Sequence, residues 1–168
     1  QPRSRGLGDV YKRQLINRAQ YQRVLGHIQR GIDQGARLLC GGARPADLEK
    51  GFFIRPTVFT DVPSGSALWN EEIFGPVLCV RRFITEAEAI ALANDSDFGL
   101  VASVVSANAE AAERVANALQ AGLVWINAPQ VIFPQTAWGG YKQSSIGREL
   151  GPWGLAAFQE IKHVIRAS

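Results

Sequence analysis

The sequence predicts an α/β protein built on a largely parallel sheet with crossover helices. Two observations carry this: from Asn17 onward short apolar or β-branched runs alternate with amphipathic stretches, and Gly or Pro stands at most of the changeovers. A strand, a helix and a second strand in succession require a crossover, which lays the two strands parallel. Composition agrees, because 46% hydrophobic and 20% charged residues among 168 are the proportions of a globular chain and exclude disordered or fibrous classes.

Asn17 opens the first helix, since Tyr21, Val24, Leu25, Ile28 and Ile32 fall on one stripe at helical spacing and Gly35 follows as a stop. His27 lies beside that stripe and reads as a surface or half-buried side chain rather than a ligand. Arg37 to Cys40 is a short apolar run closed by Gly41 and Gly42, the pattern of a buried strand entering a turn, and Ala43 to Gly51 is a polar loop. Phe52 to Thr60 is rich in β-formers but broken at Pro56, and Val77 to Phe83 is a stronger strand that starts after Gly75 and Pro76. Thr85, with Glu88 three residues later, makes a capping box for a helix whose apolar face is Ala87, Ile90, Ala91 and Leu92.

Leu100 to Ser106 is the next strand. Asn108 to Gln120 follows as a helix with Ala112, Val115, Ala116 and Leu119 inward and Gly122 as its terminator, and Leu123 to Asn127 is again a strand. The irregular stretch APQVIFPQTAWGGYKQSSIG comes after it, a length that in a compact domain marks a functional loop. A short helix around Pro152 to Phe158 leads to a weakly alternating run, Ile161, His163 and Ile165 against Lys162, Val164 and Arg166, which suits an edge or interface strand.

No run of 18 apolar residues exists and the first residues lack the apolar core of a secretory signal, so neither a spanning helix nor export is expected and the expected compartment is the cytoplasm. Two cysteines and two histidines make no disulfide framework and no zinc constellation; Cys40 in LLCGG and Cys79 in VLCVR read as small buried thiols. The net charge of +3 comes from Arg3, Arg5, Lys12 and Arg13 against Asp9, which leaves 14 positive against 14 negative residues from residue 15 onward. A nucleic-acid surface needs a clustered positive excess and is not expected. The opening QPRSRGLGDVYKRQ fits no element, its DVYKRQ resembles translated adapter sequence, and residues 1–14 are set apart as a non-native leader.

Self-contained catalytic motifs are absent from the sequence: no GxGxxG, Walker loop, HExxH, GxSxG or paired-Cys motif occurs. The reactive-looking pieces are Glu71 and Glu72 in NEEIFGPV, with Phe74 beside them, and the aromatic loop carrying Phe133, Trp138 and Tyr141. Glu72 stands against the apolar FGPV that starts a strand, and a carboxylate at such an edge suits acceptance from the two hydroxyls of a ribose.

EEIFGPV, NDSDFGL, WIN and WGGYKQSSIGRELG, in this order and at these separations, resemble the C-terminal part of the NAD(P)-dependent aldehyde dehydrogenases over most of the chain. ALWNEEIFGPVLCV and the Trp138 of TAWGG are most similar to the betaine aldehyde and aminoaldehyde members. The resemblance implies that residues 15–158 are part of the catalytic domain and that residues 159–168 are a strand of the oligomerisation sheet in a homodimer or homotetramer. It implies that Glu72 holds the nicotinamide ribose hydroxyls of NAD or NADP, that Phe74 packs beside the nicotinamide ring, and that Ile132 and Trp138 line the aldehyde tunnel. Asn127 becomes a structural hydrogen-bonder. Lys142 and Ser145 match the place where betaine aldehyde dehydrogenases hold a monovalent cation through backbone oxygens, although Ser145 stands where the motif has Gly.

The family's nucleophilic Cys, general-base Glu, oxyanion Asn and phosphate-binding turn have no match in this sequence. Neither Cys40 nor Cys79 sits in the nucleophile motif, so the resemblance implies no catalytic residue here and no aldehyde oxidation by this chain alone. Two readings stay open: part of a truncated reading frame of such an enzyme, or a non-catalytic assembly or regulatory module of the same fold.

Overall fold

The computed structural model describes residues 14–128 and 130–167; the leader expected over residues 1–14 lies, apart from Gln14, outside the described residues. The chain divides into two compact units, one running to Phe83 and the other starting at Ile84.

In the first unit Asn17 caps helix α1 (Arg18–Asp33), its side chain accepting from the Gln20 amide at 2.8 Å. The helix ends as Gly35 requires: Ala36 N–H donates to Gly31 C=O, Gly35 N–H donates to Ile32 C=O, and Gly35 takes φ 91°. The chain then forms β1 (Arg37–Cys40), β2 (Thr57–Thr60), the single-turn helix α2 (Ala67–Asn70) and β3 (Val77–Val80). Sheet order is β1-β2-β3, with β1 antiparallel to β2 and β3 parallel to β2 in the register Thr57↔Val77 to Thr60↔Val80. β2 starts one residue past Pro56, which has no N–H to give a ladder. Gln14 pairs with Phe53 in an antiparallel bridge. Val24, Ile28, Ile54, Phe59, Val62, Leu68 and Ile73 make the core.

Three sequence expectations change here. The buried face of α1 is Val24, His27, Ile28 and Gly31, so the stripe is rotated away from Ile32, which is 42% exposed. β1 is an outer strand with Leu39 and Cys40 exposed rather than a buried one, because among the described residues it has a neighbour on one side only. His27 is buried, at 3% exposure, with its Nδ1 accepting from Arg30 at 3.1 Å and its Nε2 3.8 Å from a Glu71 oxygen.

Burial first, then the charge of Arg30, pushes His27 below its ordinary value; Glu71 pulls it up and Arg23 adds to the lowering. The unfolded chain restores the ordinary value near 6.5. Below that pH the unfolded state takes up a proton that the folded state resists, so stability is complete above about pH 6.5 and falls with falling pH. The urea midpoint of the chain is therefore expected to drop between about pH 7 and pH 5, and to drop less in His27→Gln. Equal slopes in the two proteins would count against this.

In the second unit Thr85 caps α3 (Glu86–Asn94), its Oγ accepting from the Glu88 amide at 3.1 Å, and the Glu88 carboxylate accepts from Ile84 N–H at 2.8 Å, a capping box whose return bond falls one residue before the cap. β4 (Phe98–Gly99) and β5 (Val101–Val104) follow, then α4 (Ala109–Ala118), β6 (Leu123–Ile126), β7 (Tyr141–Lys142) and α5 (Gly151–Ala156). α4 is the crossover between β5 and β6, which pair parallel from Val101↔Leu123 to Val104↔Ile126; β4 and β7 pair antiparallel. The expected parallel strands joined by helices are thus present in both units, with an antiparallel pair added to each.

α4 stops at Ala118 rather than Gln120, because the Asn94 side chain donates to Ala118 C=O and accepts from Gln120 N–H, at 2.9 and 2.8 Å. Gly122 is not the terminator of that helix. Its Cα lies against Gly139, where any Cβ would collide with the Gly139 carbonyl. Residues 159–167 take no regular structure, and Ile161 and Ile165 are exposed. A strand exists only through the N–H and C=O groups of a neighbour, and the expected terminal strand has none among the described residues.

Candidate functional site

The EEIFG segment is laid across one face of α1. α2 ends at Asn70, and its C-cap Glu71 is already extended. The Glu71 carboxylate meets the Arg30 guanidinium at 3.2 Å, and Ile73 is buried in the core. Extended backbone alternates its side chains, so Glu72 and Phe74 both fall outward: Glu72 is exposed and has no hydrogen bond or ion pair among the described residues, and Phe74 is 75% exposed. The two adjacent carboxylates therefore differ in their surroundings: Glu71 is paired with Arg30 and Glu72 is open to solvent.

Phe74 has φ 51°, a left-handed conformation that an aromatic residue adopts only when its surroundings impose it. Those surroundings are visible. The Gln20 side-chain amide donates to the carbonyls of both Ile73 and Phe74, each at 3.0 Å. Gly75 rests on Val24 so closely that a Cβ would come within 2.7 Å of its methyl, and the Pro76 carbonyl accepts from Thr57 N–H at 2.8 Å, which fixes the start of β3. Phe74 and Gly75, with Leu15, Ile16 and Gln20, line an open, largely apolar cleft of about 680 Å³.

In the second unit one loop carries Ile132 and Trp138. Trp138 is half-buried, and its backbone exchanges two hydrogen bonds with Glu149, at 2.8 and 2.7 Å. Gly139 and Gly140 are buried beside it, and the Arg148 guanidinium donates to the carbonyls of Gly140 and Gly147 at 2.8 Å each. Trp125 Nε1 donates to the Val131 carbonyl, which ties the approach to Ile132 to β6. Ile132 itself is half exposed. Asn127 is the structural group expected: its side chain donates to Ser106 C=O at 2.7 Å and accepts from Ser106 N–H at 2.9 Å, extending the β5–β6 pairing by one residue.

Lys142 and Ser145 have their side chains engaged. The Lys142 ammonium donates to the Asn94 and Ser96 carbonyls at 2.7 Å each, a positive charge at the C-terminus of α3. The Ser145 hydroxyl bonds both backbone groups of Gly147. Among the described residues no group of three His, Cys, Asp or Glu is placed to hold a metal. Burial pushes Cys79 up, and the Cys40 sulfur, exposed where a buried thiol was expected, has a carbonyl, Pro56 at 3.9 Å, as its polar neighbour.

The Aldehyde dehydrogenase family profile matches residues 13–164. The chain belongs to the aldehyde dehydrogenase family. It is 53% identical over 150 residues to the peroxisomal aminoaldehyde dehydrogenase 2 of Malus domestica, a match that covers 89% of this chain and 30% of that protein. It is 47% identical to betaine aldehyde dehydrogenase 1 of Oryza sativa subsp. japonica, covering 90% and 30%. Among solved structures, the Mycobacterium tuberculosis aldehyde dehydrogenase complexed with NAD+ matches with a TM-score of 0.82 at 46% identity, covering 86% of this chain and 30% of that one. Betaine aldehyde dehydrogenase from Staphylococcus aureus in complex with NAD+ matches with a TM-score of 0.81 at 43% identity, covering 86% and 29%.

This aldehyde dehydrogenase chain thus spans about 30% of the length of the curated relatives it matches. No helix among its described residues is long and apolar enough to cross a membrane. Other plant relatives carry peroxisomal or chloroplastic names, which differ from the cytoplasmic expectation.

Proposed function

We propose that this chain supplies the cofactor-facing and aldehyde-facing walls of an enzyme that oxidises betaine aldehyde or an aminoaldehyde to the carboxylic acid, with hydride transfer to NAD or NADP. The observation that carries the reading is the division of labour at Glu71 and Glu72: Glu71 is held by Arg30, while Glu72 is left exposed beside an exposed aromatic on strained backbone. Exposing a phenyl ring and holding it at positive φ both cost stability, and such outliers cluster at ligand clamps.

The donor set fits a nicotinamide riboside. A carboxylate accepts through two oxygens and so matches two vicinal ribose hydroxyls, which donate. Glu72 would hold the ribose, and the ring of Phe74 would give the nicotinamide an apolar wall that needs no ordering on binding. When bound, the nicotinamide supplies the hydride acceptor. On the aldehyde side, Ile132 would close the tunnel with an aliphatic surface and Trp138 would present an indole face to a substrate ammonium group. The exposed Phe158, Ile161, Val164 and Ile165 support a further part of the reading, a segment that completes a sheet in a homo-oligomer.

The test is a chimera in which this chain replaces the 150 matching residues of the Malus domestica enzyme. Hydrogen bonds to a charged acceptor contribute about 1.5 to 3 kcal/mol, so Glu72→Gln in the chimera is expected to raise KM for NAD or lower hydride transfer by at least about tenfold with the fold intact. Unchanged kinetics would return Glu72 to the role of a solvated surface carboxylate.

A further inference from the structure

We infer that Gln20 and Arg30, on the face of α1 that carries the EEIFG segment, are positioning residues: they set the Glu71–Phe74 backbone so that Glu72 and Phe74 face outward before any cofactor arrives. The inference rests on the cofactor-side reading of Glu72 and Phe74 given above, and it concerns residues that do not themselves touch the ligand in that reading.

The two contacts act on opposite ends of the segment. At the Phe74 end, the Gln20 amide has two N–H donors, and its acceptors at 3.0 Å are the carbonyls of the two consecutive residues Ile73 and Phe74. That pair of bonds fixes the two carbonyls relative to each other across the residue at φ 51°. Gln20 is itself fixed at its base, because its backbone N–H donates to the Asn17 cap at 2.8 Å. At the Glu71 end, the Arg30 guanidinium takes a Glu71 oxygen at 3.2 Å. This removes Glu71 as a competing acceptor and relieves the repulsion between neighbouring carboxylates. Buried Ile73 is the pivot between the two.

Gln20 carries more of the positioning than Arg30. The Arg30–Glu71 pair is about half exposed on each side and is screened by water. The Gln20 bonds are to backbone, one of them part-buried, and no alternative donor for the Ile73 and Phe74 carbonyls occurs among the described hydrogen bonds.

Two measurements separate this from a purely structural role. The first is hydrogen–deuterium exchange over residues 71–77 in the 168-residue chain. The second is the KM and kcat for NAD of the chimera described above. Gln20→Met keeps the volume and removes both donors. It is expected to speed exchange at the Val77 amide, which donates to the Gly75 carbonyl directly after the held segment, by about tenfold or more, and to raise KM about tenfold with kcat changed by less than about twofold. Arg30→Met should move both readouts the same way by a smaller factor, and Gln20→Lys, which returns an N–H donor, should recover most of the loss. Unaltered exchange in Gln20→Met overturns the inference, as does faster exchange with an unaltered KM. If instead Glu72→Gln leaves KM normal while Gln20→Met still speeds exchange, the cofactor reading has failed and the positioning role falls with it.

Discussion

Incubated with NAD and betaine aldehyde, the purified 168-residue chain is expected to form no NADH. Oxidation through a covalent adduct needs a thiolate that is accessible and kept deprotonated by a neighbouring cation or base. Cys79 is half-buried, burial raises its pKa, and its sulfur lies 3.4 Å from the Leu68 carbonyl rather than beside a cation or base. Cys40 is accessible, but the polar group beside its sulfur is the Pro56 carbonyl, which neither takes a proton nor stabilises a negative charge. Loss of the nucleophile alone removes most of the rate in enzymes that use one, and other binding groups do not compensate. NADH formation that disappears in Cys40→Ala or Cys79→Ala would overturn this assignment of the thiols.

Trp138→Ala in the chimera is expected to cost betaine aldehyde about thirtyfold in kcat/KM, because a desolvated cation over an indole face contributes about 2 kcal/mol. A quaternary ammonium has no N–H to donate, so a ring face holds it without leaving an unmet hydrogen bond. Trp138 is suited to the task because its backbone is pinned twice to Glu149. Its ring has no cation partner among the described residues, where the cation–π contacts are Arg81 over Trp69 and Arg148 over Tyr141. A neutral aldehyde of the same shape, 3,3-dimethylbutanal, should lose much less. Equal losses for both substrates would make Trp138 a packing residue and remove the main physical support for a cationic aldehyde.

What could be read from the sequence is what the chain encodes locally. Asn17, Thr85 and Asn108 each cap a helix by bonding the amide three residues ahead, and a run of residue types at fixed spacing reveals that without any tertiary information. The same holds for the β5–α4–β6 crossover, and for Gly35, whose positive φ closes α1. The rest depends on partners far along the chain. Gln20 finds its acceptors 53 and 54 residues away, and Lys142 finds its own 48 and 46 residues away. No periodicity announces such pairs, so neither the Gln20 contacts nor the partners of the Lys142 ammonium were legible in the sequence.

Neighbour relations failed for a related reason. Arg37–Cys40 is apolar enough for a core strand, yet composition does not say whether a strand has one neighbour or two. His27 looked peripheral because its burial depends on Arg30 and Glu71 closing over it. At the candidate site, EEIFG was legible as a motif, whereas the split between an anchored Glu71 and an open Glu72 was not.

The chimera's own turnover tests the central claim most directly. If residues 13–164 carry the cofactor-facing and aldehyde-facing walls, the Malus domestica enzyme bearing them in place of its matching 150 residues should reduce NAD with betaine aldehyde or an aminoaldehyde at a kcat/KM within about tenfold of its own, as expected where no transition-state contact is lost. A folded chimera that reduces no NAD with either aldehyde would contradict the account.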